Sequence, residues 1–287
     1  MAFMEIKLYS NTMQASTSVN IILPTYRDPQ FLYKAYGENS FPFYDDTRKR
    51  PVLYLLHGSH GDEAAFTRYS KLEYYADNYD ILIVMPACNN SRFKDMPRCG
   101  AAYYTYLTVE LPKIIKWMFP ASEERDETFI GGFSMGAGGA FKVGMLNPDK
   151  YGYVFGLSGS YTFPDFYEDD PDHNIWSLAF EKGASYKNTI EDNYWVAEQC
   201  MKNPENTPQF YFSIGTDDFV YPKHSLFRKH LDRIGFCYSC YEGPGAHDWD
   251  FWDAELKKIL EEWLPIRRND QESNVDDKNR VSSEIQL

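Results

Sequence analysis

The sequence predicts an α/β fold with a mainly parallel central sheet flanked by helices. Two continuous apolar runs, Val52–Leu56 and 81–85, are followed closely by glycine or proline, which is typical of parallel strands covered on both faces. A helical pattern over 101–118 places apolar residues on one face. Because strands of this kind alternate with helices along the chain, the α/β class is favoured over all-helical and all-β folds.

The first half of the chain is predicted to open with a hairpin. Segments 4–10 and 19–24 are rich in β-forming residues and are separated by the polar stretch 11–18, so they are expected to pair. After a loop rich in proline, tyrosine and charge come the two apolar strands. In the helix that follows, over 101–118, Pro112 predicts a kink or a late start, because proline cannot donate the backbone hydrogen bond.

The second half repeats the alternation of strand and helix. Its strands are apolar runs, and its helices carry an apolar face and end near proline or glycine. The predicted strands are 128–132, 153–158, Gln209–Gly215 and 236–241. The predicted helices are 136–147, 223–234 and 250–263, the last with Trp252, Leu256, Ile259, Leu260 and Trp263 on one face.

Residues 1–266 are predicted to form one domain, since a chain of 287 residues accommodates one large α/β domain better than two small ones. Within it, 160–208 is longer than a strand-to-helix connection needs, and it mixes an acidic run with tryptophans. This segment is predicted to include a cap or lid, the alternative being one crossover helix with a long loop. The polar tail 267–287 is expected to be disordered.

Composition argues against several classes of function. The chain has 29 Lys+Arg against 42 Asp+Glu, a net charge of −13, without a long basic run, so neither nucleic acid nor an anionic membrane is an expected partner. No stretch is long and apolar enough to span a membrane, and the absence of a signal-peptide pattern favours a cytoplasmic location, although a chain lacking its signal peptide would look the same. Composition does not exclude that the chain forms a homo-oligomer. Structural thiols are expected at Cys88, Cys99, Cys200, Cys237 and Cys240.

The sharpest motif is Gly132-Phe-Ser134-Met-Gly136, between a predicted strand and a glycine-rich helix start. This G-x-S-x-G spacing is typical of a nucleophile elbow, in which a tight strand-to-helix turn exposes the serine and only glycine fits two positions to either side. The alternative is a bare packing turn. Gly156-Leu-Ser158-Gly-Ser160 nearly imitates the motif, but it leads into the 160–208 segment. Ser134 is therefore the predicted nucleophile.

A serine hydroxyl needs a base, and the base needs an acid that orients it. In the fold that carries such an elbow, the chain order is serine, acid, histidine. Asp217 and Asp218 both follow the strand Gln209–Gly215; sequence physics does not decide between them, and the G-x-x-D spacing favours Asp218. His247 lies in a glycine-rich loop before the last helix and is the predicted base.

An oxyanion intermediate requires two backbone N–H donors, one from the residue after the nucleophile and one from an early loop. Met135 and Ser59, which follows His57-Gly58, are the predicted donors. A competing interpretation is a metal site built from His57, His60 and Asp62, but their spacing matches no common ligand pattern. His57 is better explained as a hydrogen-bonding strut beneath the loop.

With these residues in place, the chain resembles the tributyrin esterase and esterase D-like branch of the α/β-hydrolases, grouped with carbohydrate esterase family 1, which includes feruloyl and acetylxylan esterases. The resemblance runs from residue 6 to residue 266. It is carried by Tyr54-Leu-Leu-His-Gly58, Val84-Met-Pro86, Glu110-Leu-Pro112, Phe129-Ile-Gly-Gly-Phe-Ser-Met-Gly136, Gly215-Thr-Asp-Asp-Phe219, Ala246-His-Asp-Trp249 and Leu264-Pro-Ile266. The common S-M-G-G sequence is altered only by Ala137.

The resemblance implies an α/β-hydrolase fold, with Asp218 as acid, His247 as base, and Ser59 and Met135 as oxyanion donors. It implies hydrolysis of short-chain acyl or hydroxycinnamoyl esters, small or carried on an oligosaccharide, with a lid over 160–208 and without a metal or organic cofactor. The expected activity is thus that of a serine carboxylesterase. Rival interpretations are a thioesterase of the formylglutathione type, an acyltransferase, a peptidase and an inactive carbohydrate-binding protein.

Overall fold

The computed structural model describes residues 1–25, 49–96, 99–162, 179–180 and 184–268. Its strands fall into one large sheet and one small ribbon. The sheet contains β1 (Ala2–Ser10), β2 (Ala15–Leu23), β3 (Val52–Leu56), β4 (Leu82–Pro86), β7 (Thr128–Phe133), β8 (Tyr153–Leu157), β9 (Gln209–Gly215) and β10 (Ser239–Gly243), and the ribbon pairs β5 (Asp95–Met96) with β6 (Ala101–Ala102).

The eight strands of the sheet lie in the order β1-β2-β4-β3-β7-β8-β9-β10. From β4 to β10 every neighbouring pair is parallel, whereas β2 is antiparallel to both β1 and β4. The carboxyl ends of the six parallel strands therefore meet at one edge, where loops that follow the strands can bring side chains together.

Helices cover both faces of the sheet. They are α1 (Ala65–Tyr69), α2 (Leu72–Ala76), α3 (Tyr103–Thr105), α4 (Leu111–Met118), α5 (Met135–Leu146), α6 (Asn193–Cys200), α7 (Tyr221–Ile234) and α8 (Trp249–Lys258). Within the described ranges, none of the helices is long and apolar enough to cross a bilayer.

Each face of the sheet has its own apolar core, because successive strand residues point to opposite sides. On one face, Tyr54 and Phe212 pack with Phe141 of α5 and Phe227 of α7. On the other face, α1, α2 and α8 pack against alternate residues of the same strands, with Leu53, Leu55, Phe129, Phe133, Trp252 and Leu256 among the buried residues. The predicted α/β class with a mainly parallel sheet is confirmed.

Two elements differ from the sequence predictions. Over 101–118 the helix is interrupted by a π-helical turn at Tyr106–Glu110, and Pro112 is the second residue of α4. Pro112 has no N–H to offer the carbonyl of Thr108, and the ammonium group of Lys150 donates to that oxygen instead at 2.7 Å. The last strand begins at Ser239, not at residue 236. Phe236 follows Gly235, whose φ of 72° ends α7, and packs into the core outside the sheet.

Part of the predicted cap lies outside the described residues, as does the tail from 269 onward. The described part of 160–208 contains α6 and a 3-10 turn at Pro204–Asn206. Asp192 caps α6 by accepting hydrogen bonds from the first N–H groups of the helix.

Near the end of the described residues, the carbonyl of Arg267 accepts a hydrogen bond from the N–H of Asp80.

A candidate active site at the carboxyl edge of the sheet

Ser134 occupies the sharp turn between β7 and α5. Its φ is 53° and its ψ is −116°, a backbone conformation that is costly for any residue with a side chain and that is found mostly at functional sites. The N–H of Ser134 donates to the carbonyl of Leu157 at 2.8 Å, which extends the β7–β8 ladder by one residue. The Oγ atom does not cap α5 and is free to face the edge of the sheet.

The glycines at positions 132 and 136 are required by space. A Cβ on Gly132 would lie 2.5 Å from the carbonyl oxygen of Leu56, and one on Gly136 would lie 2.0 Å from the same oxygen. The backbone of β3 thus passes directly against both sides of the elbow. This close approach carries the loop that follows β3, with Ser59, toward the first turn of α5.

The hydroxyl, an imidazole and a carboxylate form a continuous hydrogen-bonded series. Oγ of Ser134 lies 2.9 Å from Nε2 of His247, and Nδ1 of His247 lies 3.0 and 2.9 Å from the two oxygens of Asp218. Because an ionised carboxylate only accepts, Nδ1 carries the proton and Nε2 accepts from the serine hydroxyl. The imidazole is thereby held in the tautomer that can remove the serine proton.

The Asp218 carboxylate is buried and accepts hydrogen bonds of ordinary geometry from two residues. Besides His247, the backbone N–H of Val220 donates to Oδ1 at 2.8 Å. Burial by itself would raise the pKa of this carboxyl, but hydrogen bonds from His247, from the Ser158 hydroxyl and from Val220 outweigh it and lower the pKa below its ordinary value. Asp218 therefore stays ionised at neutral pH. The alternative acid, Asp217, is exposed and donates its own N–H to the carbonyl of Gly245 at 2.9 Å.

The motif that imitates the elbow in sequence lies beside the acid. Ser158 follows β8, has a φ of 51° and donates its N–H to the carbonyl of Ser213 at 2.8 Å. Its side chain is fully buried, and among the described residues its Oγ completes no hydrogen bond of ordinary geometry. The hydroxyl nevertheless approaches Asp218 closely enough to lower the pKa of that carboxyl. The buried Ser158 hydroxyl thus borders Asp218 and, unlike Ser134, makes no hydrogen bond to a histidine among the described residues.

The loop after β3 is supported from below by His57. Nδ1 of this histidine bonds to the carbonyl of Gly58 at 2.8 Å, and Nε2 accepts from the N–H of Cys88 at 2.9 Å. Both ring nitrogens are therefore engaged with backbone, and burial lowers the pKa of the ring. These contacts are those of the predicted strut, and they leave His57 no nitrogen with which to bind a metal.

The two predicted oxyanion donors, Met135 and Ser59, lie at the start of α5 and in the turn after β3. Met135 is the first residue of α5, where the leading N–H groups of a helix have no carbonyl partner within the helix. Ser59 lies in the turn after β3, which is closed by a hydrogen bond from the N–H of Gly61 to the carbonyl of Gly58 at 3.2 Å. Next to it, the N–H of His60 donates to Oδ1 of Asn90 at 2.8 Å.

The two histidines of α7, His224 and His230, make no hydrogen bond to Ser134 or Asp218 among the described residues. His224 is fully buried, its Nδ1 lies 3.3 Å from the carbonyl of Gly159, and burial lowers its pKa to about 4. His230 is also buried, on the same helix. His173 lies outside the described residues.

Two aromatic side chains that sequence reasoning missed contact the His247 ring. The Trp252 ring meets the imidazole edge-on at 4.9 Å between centres, and the Phe219 ring lies 4.5 Å away at a tilt of 53°. The only signal in the sequence is their position: Phe219 directly follows Asp218, and Trp252 lies five residues after His247. No residue pattern distinguishes them from the many other aromatic residues of this chain.

Comparison with known proteins identifies the family. The family model described as "Putative esterase" matches residues 10–263. The chain belongs to this esterase family. An acetyl esterase of Caldicellulosiruptor saccharolyticus is 24% identical over 271 residues, covering 92% of this chain and 98% of the relative. These matches confirm the predicted resemblance to esterases of the α/β-hydrolase fold.

Two solved structures from Staphylococcus aureus are similar to this esterase. One is fluorophosphonate-binding serine hydrolase F with bound substrate, with a TM-score of 0.78, and the other is S-formylglutathione hydrolase, with a TM-score of 0.76. Each is 27% identical, and each match covers 92% of this chain and 98% of that chain. Together with the family, they establish the chain as a carboxylic ester hydrolase.

Proposed function

We propose that this esterase works through a covalent acyl-enzyme on Ser134, with His247 as general base and Asp218 as the group that orients it. The observation that carries the proposal is the unbroken series of hydrogen bonds from Asp218 through His247 to the Ser134 hydroxyl. A buried, ionised carboxylate fixes the imidazole tautomer and stabilises the imidazolium that forms during the reaction.

In the first half of the reaction, Oγ of Ser134 bonds to the ester carbonyl carbon while its proton passes to Nε2 of His247. The carbonyl oxygen becomes an oxyanion that accepts hydrogen bonds from the N–H groups of Ser59 and Met135. The bond to the alcohol oxygen then breaks, and that oxygen takes the proton from Nε2. In the second half, water attacks the acyl-enzyme by the same route and releases the acid.

The substrates we propose are esters of short-chain acids, acetate first, because the acetyl esterase relative covers nearly the whole chain. Hydroxycinnamoyl esters, including those carried on plant polysaccharide, are the second acyl class, and they rest on the resemblance to carbohydrate esterase family 1. The relative rates on acetate and ferulate esters decide between the two acyl classes.

The test is hydrolysis of 4-nitrophenyl acetate, 4-nitrophenyl butyrate and methyl ferulate by the wild-type protein and by Ser134→Ala. The variant is expected to lose about 10⁴- to 10⁶-fold in kcat, and acid quenching of wild type during turnover should show the mass of one acyl group on Ser134. Ser239→Ala is the matched control, because Ser239 is exposed on β10. Hydrolysis that survives in Ser134→Ala contradicts the proposal.

A thioesterase of the S-formylglutathione type is the second candidate, favoured by the similarity to the S. aureus S-formylglutathione hydrolase structure. The same serine, base and oxyanion donors would cleave a thioester, with a thiol as leaving group. Rates on S-formylglutathione and on oxygen esters of the same acid separate the two functions. A much larger kcat/KM on the thioester would make it the principal activity.

A further inference from the structure

Phe219 is an exposed aromatic side chain that lies beside the His247 imidazole. It is 75% exposed, whereas its neighbours Asp218 and Val220 are only 4% and 8% exposed. These neighbours are linked by the hydrogen bond from the Val220 N–H to the Asp218 carboxylate. Because both flanking residues point inward and are tied together, the Phe219 side chain is directed outward, where its ring lies against the His247 ring.

A single exposed apolar side chain is common on protein surfaces, but this one lies against the ring of the proposed general base. The imidazole also meets Trp252, which is 5% exposed and offers little accessible surface. Of these two aromatic neighbours of the imidazole, Phe219 is the one with an accessible ring.

The chemistry of the reaction places one half of the substrate there. When the acyl-enzyme forms, Nε2 of His247 gives its proton to the oxygen of the departing alcohol, so that oxygen must lie within hydrogen-bond distance of Nε2. The carbon skeleton of the alcohol then extends from a point at the edge of the imidazole. The acyl group lies instead on Ser134, next to the oxyanion donors.

We propose that Phe219 is a specificity-determining residue for the alcohol half of the ester and favours alcohols that carry a flat aromatic ring. This inference rests on the proposed function of Ser134 and His247. An aromatic ring on the alcohol would stack against Phe219 in an offset or edge-to-face arrangement. Such ring pairs contribute about threefold to tenfold in binding beyond the burial of area alone.

The experiment compares benzyl acetate with cyclohexylmethyl acetate. The two esters share the acyl group, are similar in size and have alcohols of similar basicity, but only benzyl presents a flat π-system. We expect Phe219→Ala to lower the benzyl to cyclohexylmethyl ratio of kcat/KM by about threefold to tenfold. Phe219→Leu, which keeps apolar bulk, should lower it as well, and Phe219→Tyr should retain it. Tyr9→Ala, at an exposed tyrosine on the far edge strand β1, is the control.

A benzyl to cyclohexylmethyl ratio that Phe219→Ala leaves unchanged overturns the inference. If both esters lose rate equally, Phe219 is only a support for His247, and if the acetate to butyrate preference changes instead, Phe219 acts on the acyl half. These results in Phe219→Ala can be told apart from a failure of the proposed function. That failure would appear in the wild type, as hydrolysis of the acetates that Ser134→Ala does not abolish, and it would overturn the inference with it.

Discussion

Asp218 and Asp217 are adjacent in sequence but have opposite environments. The Asp218 carboxylate is buried and accepts hydrogen bonds from Nδ1 of His247 and from the N–H of Val220. The Asp217 side chain is exposed. The turn after β9 is fixed on both sides, by the N–H of Thr216 donating to Gly243 and by the N–H of Asp217 donating to Gly245, so the two side chains cannot exchange places.

This difference predicts opposite results for two substitutions that make the same chemical change. Asp218→Asn replaces an acceptor-only group with an amide and favours the wrong tautomer of His247, so kcat should fall by about 10³- to 10⁴-fold. Asp217→Asn should stay within about twofold of wild type, as expected at a surface position. Steady-state hydrolysis of 4-nitrophenyl acetate measures both. Equal losses in the two variants would remove the acid role from Asp218.

The backbone contact between β3 and the elbow predicts an unequal effect of alanine at two glycines of α5. A Cβ at position 136 would overlap backbone atoms of Leu56 and His57 at 2.0 to 2.8 Å, whereas one at position 138 would meet its first neighbour, the carbonyl of Ser160, at 3.1 Å. Gly136→Ala must therefore push the loop with Ser59 away from the elbow, and kcat/KM should fall by about 10²-fold or more, as when one oxyanion donor is lost.

Gly138→Ala is the matched control for this substitution. The new methyl group is close to the Ser160 carbonyl, but alanine favours the helix by about 1 kcal/mol over glycine, so the protein should fold and keep most of its activity. Circular dichroism and the acetate assay on both variants test the expectation. Full activity in Gly136→Ala would show that the β3 loop does not depend on this contact.

Local signatures explain how much of the fold and the site could be predicted. The glycines around Ser134 and His247 mark tight turns that few other folds need, so these positions are readable from sequence. The choice of Asp218 over Asp217 depends on which side chain the Val220 N–H caps, and that contact has no sequence pattern. Residues 236–238 have the composition of a strand, but the left-handed Gly235 directs Phe236 into the core instead.

The buried ion pair between Lys142 of α5 and Glu191 predicts non-additive effects on stability. Nζ of Lys142 lies 2.7 Å from Oε2 of Glu191, and the two side chains are 4% and 8% exposed. Burial lowers the pKa of Lys142, and Glu191 opposes that shift. Glu191→Gln leaves a buried ammonium group without its counter-charge, so the free energy of unfolding should fall by about 3–5 kcal/mol.

Replacing both partners with apolar residues, Lys142→Met with Glu191→Leu, should cost less than Glu191→Gln alone, because the Lys142 ammonium group is then not left buried without its counter-charge. Urea unfolding of the single and double variants measures the difference. The exposed pair Lys116 and Glu123 supplies the control, since Glu123→Gln should have no measurable effect. A double variant that is less stable than Glu191→Gln would contradict this account of the pair.

Glu110 predicts a stability difference that depends on pH. Its carboxylate accepts hydrogen bonds from the hydroxyls of Ser10 and Thr12 and from the N–H groups of Asn11 and Thr12, at 2.5 to 3.1 Å, and so ties the β1–β2 turn to the helix before α4. Burial alone would raise the pKa of this carboxyl, but these hydrogen bonds outweigh it and lower the pKa to about 2.

Because the pKa in the folded protein lies below its value in the unfolded chain, the ionised Glu110 stabilises the fold fully at neutral pH. That contribution is lost as the pH falls from 4.5, the ordinary pKa of a glutamate, toward the folded pKa of about 2. Glu110→Gln should therefore be less stable than wild type at pH 7, and the difference should shrink steadily through this window. Thermal unfolding at a series of pH values, with the exposed Glu127→Gln as control, measures it. A difference that is constant with pH would mean that Glu110 acts through its shape and not its charge.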